Sequence, residues 1–232
     1  MTHWTPGWDM HRPGSADPLP ADRLPPIGAL VAGEVVCHHA FGLGLYLMDF
    51  ATYGHVNLPE IPGEFPAIGS AVTGIFLDIS GNRQLRLSLR WVHRTLAGLR
   101  LTDVGRSANI AWLHIGGYAL HVQAPLRLVR SGQILLGSDD MLWPQERGAE
   151  DSFDAFTTMY DRNAELLNGF LGRDEFLVLD GEIRPAGHLV LRLTDELVIE
   201  VLPARAGEGE AWRLFERGPG GYHHVHPPEE GP

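Results

Sequence analysis

The stretch ALVAGEVVCHHAFGLGLYL, residues 29–47, decides how the first part of the chain folds. It contains two apolar runs of strand-like composition, 29–36 and 41–47, joined by a short link at His38-His39-Ala40. Gly33 interrupts the first run, and a glycine inside a strand often marks a bend or a bulge. These features predict two strands joined by a tight connection, the first of them bent or bulged at Gly33.

Three further runs of the same kind follow, at 55–58, 71–78 and 84–89. A loop rich in proline, glycine and glutamate precedes the second of these runs, and Ser80-Gly81-Asn82 forms the turn before the third. Five short strands in about 65 residues are typical of a small closed or partly open barrel. The predicted fold class is mainly β or α+β, with a five-stranded barrel at residues 27–90.

Short motifs within residues 27–90 occur in a fixed order. They are Ile27-Gly28, Gly33-Glu34-Val35, Phe41-Gly42, Gly54-His55-Val56, Pro59-Glu60-Ile61, Ile68-Gly69 and Leu85-Arg86-Leu87-Ser88-Leu89. In this order they resemble the S1 RNA-binding domain, which is an OB-fold barrel. The Phe-Gly and the final Leu-Ser-Leu are the most specific of them. The resemblance covers little more than a quarter of the chain, and it implies an S1-like barrel that binds single-stranded RNA.

The resemblance also implies which residues contact RNA. S1 domains typically present aromatic rings on their second and third strands and a histidine near the third strand, and bases stack on such rings. Phe41 stands at the first aromatic position, whereas Gly44 stands at the second. Asn57 occupies the histidine position, and His55 lies two residues earlier. One of the two stacking positions is therefore lost, which predicts weak binding.

Basic residues near the last hairpin complete the expected RNA surface. Five arginines and no acid lie between Ile79 and Arg100. Of these we expect Arg83, Arg86 and Arg90 to bind phosphates through charge-assisted hydrogen bonds. The alternative for these arginines is an ordinary solvated strand face, and the alternative for Phe41 is packing at the barrel rim.

Composition divides the rest of the chain into further segments. These are an irregular proline-rich arm at 1–26, a short helix or extended connector at 91–105, an acidic α+β domain at 106–226 and a tail at 227–232. The α+β domain opens with two hairpin signals, at Gly116-Gly117 and Ser131-Gly132. Apolar residues at helical spacing follow in 156–170, and strand-like runs complete the domain. We predict an antiparallel sheet that carries one main helix.

The net charge of −11 is distributed unevenly along the chain. Residues 27–100 hold five arginines and five acids, whereas residues 101–232 hold 11 arginines and 21 acids. We expect the acidic segment to contact a basic protein through Asp139, Asp140, Asp151 and Asp154, with electrostatic steering of the encounter. The alternative is a solvated loop whose charge serves solubility.

The α+β domain carries a second set of motifs. They are Trp112 with Tyr118, Gly137-Ser138-Asp139, and Glu210-Ala211-Trp212-Arg213-Leu214-Phe215. This set resembles an uncharacterised bacterial domain family, some of whose members look like components of toxin–immunity loci. The resemblance implies a fold and allows an immunity or interaction role, but it implies no chemistry.

Motifs of known catalytic and metal sites are missing from the sequence, including the Gly-x-Ser-x-Gly elbow, the Walker-type phosphate loop, His-Glu-x-x-His and CxxC. Cys37 is the single cysteine, which fits a reducing compartment and a structural thiol in the barrel. His224 and His226 would share one strand face, but no third metal ligand accompanies them. No apolar run reaches the roughly 20 residues of a membrane span. We therefore expect a cytoplasmic protein that is not an enzyme and uses no metal, cofactor or membrane.

Two functional hypotheses follow from the sequence. In the first, the barrel binds single-stranded RNA weakly, and the acidic domain supplies a protein contact. In the second, the chain is an immunity-type or other interaction protein whose acidic surface binds a basic partner, and the barrel is only a scaffold.

Overall fold

A computed structural model describes residues 19–80, 84–144, 157–206, 209–218 and 223–226 of the chain. It divides into two compact units, Met1–Thr95 and Leu96–Pro232, called here the barrel unit and the sheet unit. Of the predicted arm, residues 1–18 lie outside the described residues, as does the predicted tail. Leu19 and Leu24, at the end of the arm, pack against the barrel core.

The barrel unit is a closed barrel of five strands. They are β1 (Leu30–His39), β2 (Gly42–Leu47), β3 (Thr52–Asn57), β4 (Ala71–Ile79) and β5 (Leu85–Ser88). The strand order is β1-β2-β3-β5-β4, and β1 closes the barrel by pairing with β4. Only the β3–β5 pair is parallel among these neighbours. This five-stranded closed barrel confirms the predicted fold class and fits an OB-fold.

Alternate residues along each strand point into the barrel, and most of these residues are aliphatic. The buried cluster includes Val31, Val35, Leu43, Leu45, Leu47, Val56, Phe76, Leu85 and Leu87. Gly54 faces the same interior, where an added Cβ would lie 2.6 Å from Leu87 Cδ1. The residues between these apolar positions therefore face outward, and they form the surface available to a ligand.

The irregularity predicted at Gly33 lies three residues later, at Val36. The register of β1 against β2 shifts between Val35 and Cys37, whereas Gly33 pairs regularly with Val72 of β4. A Cβ at Gly33 would lie 2.8 Å from Leu47 Cδ2, so this glycine makes room for a core leucine. The strand continues past the bulge to His39, and His38-His39 belong to β1 rather than to a link.

The segment 91–105, expected to be a helix or an extended connector, contains both. It holds the short helix α1 (Trp91–Leu96) and most of strand β6 (Arg100–Ser107). The remaining strands are β7 (Ile110–Ile115), β8 (Tyr118–Val122), β9 (Leu126–Arg130), β10 (Gln133–Gly137), β11 (Phe176–Ile183), β12 (Leu189–Leu193), β13 (Leu197–Val201), β14 (Trp212–Glu216) and β15 (His223–His226). The main helix is α2 (Met159–Leu171).

All ten strands β6 to β15 form one antiparallel sheet, in the order β10-β9-β13-β12-β11-β6-β7-β8-β14-β15. Both predicted hairpins, β7–β8 and β9–β10, are present. Two halves of five strands meet where β11 pairs with β6, and this junction consists of Phe176↔Leu101 and Leu177↔Arg100. The predicted antiparallel sheet with one main helix is confirmed.

Helix α2 is attached to the buried face of β6 by polar as well as apolar contacts. The Asn168 side-chain amide donates to the Val104 carbonyl at 2.9 Å, and its oxygen accepts from the Val104 amide at 2.9 Å. Tyr160 and Leu167 are buried between helix and sheet, and the Tyr160 hydroxyl donates to the Gly105 carbonyl. In the part of the chain that the structure describes, no helix has the length and apolar character to span a membrane.

Candidate nucleic-acid interface

The candidate interface lies on the outer face of β1, β2, β3 and β5. Phe41 occupies the turn between β1 and β2, where its carbonyl accepts a hydrogen bond from the Leu58 amide at 2.8 Å. Its side chain is 67% exposed, and its ring stacks on His39 with 5.1 Å between centroids and 4° between planes. One face of the Phe41 ring is thus supported by an imidazole while the side chain remains largely exposed.

Gly44, at the position of the lost second ring, lies opposite Cys37. A Cβ at Gly44 would come within 2.6 Å of Cys37 Sγ, so the thiol occupies the space that a larger side chain would need. Cys37 Sγ also lies 3.1 Å from His39 Nε2. Burial raises the pKa of the Cys37 thiol, which keeps it protonated and makes it a poor nucleophile at neutral pH.

His55 lies on β3 between Gly44 of β2 and Arg86 of β5. Burial lowers the pKa of His55, and the nearby Arg86 and His39 lower it further, while Asp78 opposes them. The imidazole is therefore neutral at pH 7. Its Nδ1 atom is buried and has no hydrogen-bond partner among the described residues, so it can offer a bond to a ligand only after the ring moves.

Arg86 is held by an acid that the sequence analysis did not place in the site. Its Nε donates to Asp78 Oδ1 at 2.7 Å, and its Nη2 donates to Asp78 Oδ2. The two side chains are 38% and 43% exposed. The Asp78 carboxylate raises the pKa of Arg86. A phosphate approaching Arg86 would thus compete with Asp78.

A second pair borders the same surface, where Arg94 Nη2 donates to Glu60 Oε1 at 2.6 Å. Burial alone would raise the pKa of Glu60, but hydrogen bonds from Arg94 and Ser88 outweigh it and lower that pKa. Arg90 follows β5, and its positive charge also acts on Glu60. A depression between these groups is lined by Asn57, Pro59, Glu60, Leu77, Arg86 and Arg94.

The structure brings four of the six predicted nucleic-acid contacts to one surface. Phe41, His55, Asn57 and Arg86 lie on or beside the outer face, linked through His39. Arg90 lies just beyond β5, and Arg83 lies outside the described residues. His39 and Asp78 are part of this surface although the sequence analysis did not include them.

The predicted acidic interface is described only in part. Asp139 is exposed, in the first turn of a short 3-10 helix, Ser138–Leu142. Asp140 Oδ2 accepts from the Gly137 amide at 3.0 Å and from Asn163 Nδ2 at 3.1 Å, so this carboxylate has a local structural role. Asp151 and Asp154 lie outside the described residues.

The C-terminal histidines pack against an aromatic residue. The ring centroids of His224 and His226 each lie 5.3 Å from that of Trp212. Burial, followed by the nearby His226, lowers the pKa of His224 to about 4. Across the described ranges, no three histidine, cysteine, aspartate or glutamate residues are grouped as metal ligands.

Comparison with known proteins identifies no family. No protein-family profile matches the chain, and no curated protein matches it. Part of the chain is similar to the crystal structure of a multidomain protein with nucleic acid binding domains from Streptococcus pneumoniae TIGR4. The two are 22% identical, with a TM-score of 0.26, over 27% of this chain and 22% of the other. The match thus spans about a fifth of that protein's length.

Proposed function

We propose that the barrel unit is an S1-like domain that binds single-stranded RNA weakly and without catalysis. The exposed Phe41 ring, backed by His39, is the observation that carries the proposal. Exposed aromatic rings on an OB-fold surface stack with unpaired bases, whose π-faces they match. Asn57 and Arg86 line the depression beside Glu60 and Arg94, and they would contact the base edge and the phosphate.

Weak affinity follows from the contacts within the site. Only Phe41 offers an exposed ring at the two expected stacking positions, because Cys37 fills the space above Gly44. Arg86 and Arg94 already pair with Asp78 and Glu60, so binding a phosphate exchanges one ion pair for another. Such an exchange yields less free energy than neutralising an unpaired arginine.

Fluorescence anisotropy with short single-stranded oligonucleotides tests the proposal on the full chain. We expect Phe41→Ala to weaken binding about 10-fold, because removing one stacking ring costs about 1–3 kcal/mol per base. Met48→Ala is the matched control, since Met48 is 64% exposed on the same unit. Equal affinities of the two variants would refute the assignment of Phe41. Parallel RNA and DNA oligonucleotides report whether the 2′-hydroxyl contributes.

A protein contact by the sheet unit is the second candidate function. Asp139 is exposed on the same short helix as Leu142, which is 73% exposed, and Trp143 follows it with 66% exposure. An exposed tryptophan beside acids suits a partner surface with an apolar pocket and basic rim. Trp143→Ala should abolish co-purification of a basic partner from nuclease-treated lysate, whereas the exposed Glu165→Gln should not.

A further inference from the structure

The sheet of the sheet unit has one face that packs in the core and an opposite face that carries a row of aromatic and imidazole rings. Along β7, Ala111, Leu113 and Ile115 are buried, whereas the alternate residues Trp112 and His114 are only half-buried. Strand pairing extends this second face to three more rings. The ring platform, as we call it, consists of Trp112, His114, His121, Phe215 and His223.

These five side chains form two groups of touching rings. Trp112 and His114 are stacked, with 4.6 Å between centroids. Phe215 meets His121 edge-on at 4.7 Å and stacks with His223 at 5.0 Å. The groups are neighbours, because Trp112 and His121 are directly paired across β7 and β8. The platform therefore crosses four adjacent strands.

Gly105 of β6 explains how Trp112 lies on the sheet. The two residues are paired across the strands, and a Cβ at Gly105 would lie 2.3 Å from the indole Cζ2. The indole thus covers the glycine backbone and lies along the sheet surface.

The charges around the platform are balanced locally, although the sheet unit as a whole is acidic. Arg213 pairs with Glu210 at 2.6 Å, and the exposed Arg217 donates to the Gly116 carbonyl at 2.7 Å. Asp103 is paired with His114 across β6 and β7. Two arginines and two acids thus accompany three imidazoles, and each imidazole can add a positive charge when it is protonated.

Burial and these charged neighbours change the pKa values of two platform histidines, His114 and His121. Burial and then Arg217 lower the pKa of His114, against the opposing effect of Asp103. Burial and then Arg213 lower the pKa of His121, with Glu210 opposing and with His114 and His223 lowering it further. Both rings are neutral at pH 7. A bound anion would favour their protonated forms, so the platform becomes more complementary to phosphate as the pH falls.

We propose that the ring platform is a second binding site, specific for the unpaired bases of single-stranded nucleic acid. Rows of rings across adjacent antiparallel strands suit successive bases, which stack on such rings irrespective of sequence. Arg213, Arg217 and the imidazoles lie where they can meet the phosphates that connect those bases. An apolar protein surface would instead leave the imidazole nitrogens without hydrogen-bond partners.

Photo-crosslinking of the full chain to a 4-thiouridine-containing RNA oligonucleotide locates the contacts directly. We expect crosslinks within 112–121 and 212–223, in addition to those on the barrel. Phe41→Ala should reduce the barrel crosslinks and leave the platform crosslinks unchanged. Crosslinks confined to the barrel unit, or none at all, would overturn the second site. Platform crosslinks without barrel crosslinks would support this site and count against the proposed function of the barrel.

Affinity measurements on variants supply an independent test. In the Phe41→Ala background, Trp112→Leu should weaken oligonucleotide binding about 10-fold, whereas the control Phe170→Leu, at an exposed position of α2, should not change it. Phe215→Leu should also weaken binding, and it serves if the Trp112 variant fails to fold by circular dichroism. Affinity should rise between pH 7.5 and pH 5.5, and a His114→Gln/His121→Gln double variant should reduce that rise. Platform variants that bind as well as Phe170→Leu would refute the platform, as would binding of a protein in place of RNA.

Discussion

At the scale of single residues, Cys37 limits the size of the side chain that position 44 can hold. The thiol occupies the space above Gly44, and an alanine there would bring its Cβ to within 2.6 Å of Cys37 Sγ. We expect Gly44→Ala to lower the free energy of unfolding by about 1–3 kcal/mol, the usual cost of overpacking. In a Cys37→Ala background the same substitution should cost clearly less, because the clashing atom is gone. Urea denaturation of the four proteins measures this coupling, and additive effects would contradict it.

Asp78 limits how strongly Arg86 can bind a phosphate. The carboxylate accepts two hydrogen bonds from the guanidinium, so replacing it by a neutral amide releases Arg86 and removes a negative charge. We therefore expect Asp78→Asn to increase RNA affinity. It should also steepen the log–log salt dependence by about 0.7 if one further phosphate becomes neutralised.

Asp49 is an exposed carboxylate on the same unit, and Asp49→Asn is the matched control for this charge change. Arg86→Ala should weaken binding to a similar extent for all oligonucleotide sequences, because phosphate contacts carry no base information. An Asp78→Asn protein with unchanged affinity and salt dependence would show that Arg86 does not contact RNA.

His39 and Asp78, the two residues of the barrel site that the sequence did not predict, each follow a β-bulge. The register shifts between Val35 and Cys37 in β1, and again between Phe76 and Asp78 in β4. A bulge inserts one residue and reverses which face the following residues occupy. Simple alternation therefore could not place His39 and Asp78 on the outer face. His55 and Asn57 lie on the third strand, as the motifs predicted, whereas Phe41, expected to begin the second strand, lies in the turn just before it.

At the scale of secondary-structure elements, Asp161 connects the start of α2 to β6. It accepts hydrogen bonds from the Thr158 amide at 2.6 Å and from Arg106 Nε and Nη2 at 2.8 Å each. The Arg106 side chain is only 8% exposed. We expect Asp161→Asn to lower the free energy of unfolding by about 2 kcal/mol, since it weakens charged hydrogen bonds to a buried partner. The exposed Glu165→Gln, on the same helix, is the control.

The stabilisation that Asp161 provides depends on pH. Burial alone would raise the pKa of Asp161, but the hydrogen bonds from Arg106 and Thr158 outweigh it, so the pKa is lowered in the folded protein. The stabilisation is therefore complete above the ordinary pKa of an aspartate and is lost as the pH falls through the lower folded value. The difference in unfolding free energy between wild type and Asp161→Asn should shrink in strong acid, and a constant difference would contradict this account.

The sequence predicted the type of most elements, but β6 was less evident than its neighbours. Its polar residues Thr102, Asp103 and Arg106 obscure the alternation, and a bulge between Leu101 and Asp103 interrupts it. The hairpins around Gly116-Gly117 and Ser131-Gly132 were predictable because turn chemistry is local. The pairing of β11 with β6 depends on contacts between distant parts of the chain, which local pattern does not reveal.

At the scale of the whole molecule, the histidines make the fold sensitive to acid. The pKa values of His55, His114, His121, His188, His224 and His226 are all lowered. Groups of this kind bind protons more readily in the unfolded chain, so stability falls as the pH drops below the ordinary histidine pKa. Burial lowers the pKa of His224 to about 4, so this histidine contributes strongly to the loss of stability in acid.

We expect the free energy of unfolding to be lower at pH 5 than at pH 7, with His224 accounting for up to about 2 kcal/mol of the loss. His224→Phe keeps a ring against Trp212 and removes the titrating group, so this variant should show a smaller pH dependence. The exposed His223→Phe is the control. Urea denaturation at both pH values measures the effect, and an unchanged slope in His224→Phe would exclude this histidine as its source.

The two-pair junction between β11 and β6 has a consequence for how the sheet is assembled during synthesis. Strands β9 to β13 form one half of the sheet, and all their mutual pairings lie within residues 126–201. The other half begins with β6 to β8 and is finished only by β14 and β15, near the end of the chain. Strands β6 to β8 are therefore synthesised first, and β8 remains an unpaired edge while the ribosome produces all of β9 to β13. This edge is covered only when residues 212–226, which contain β14 and β15, have been synthesised.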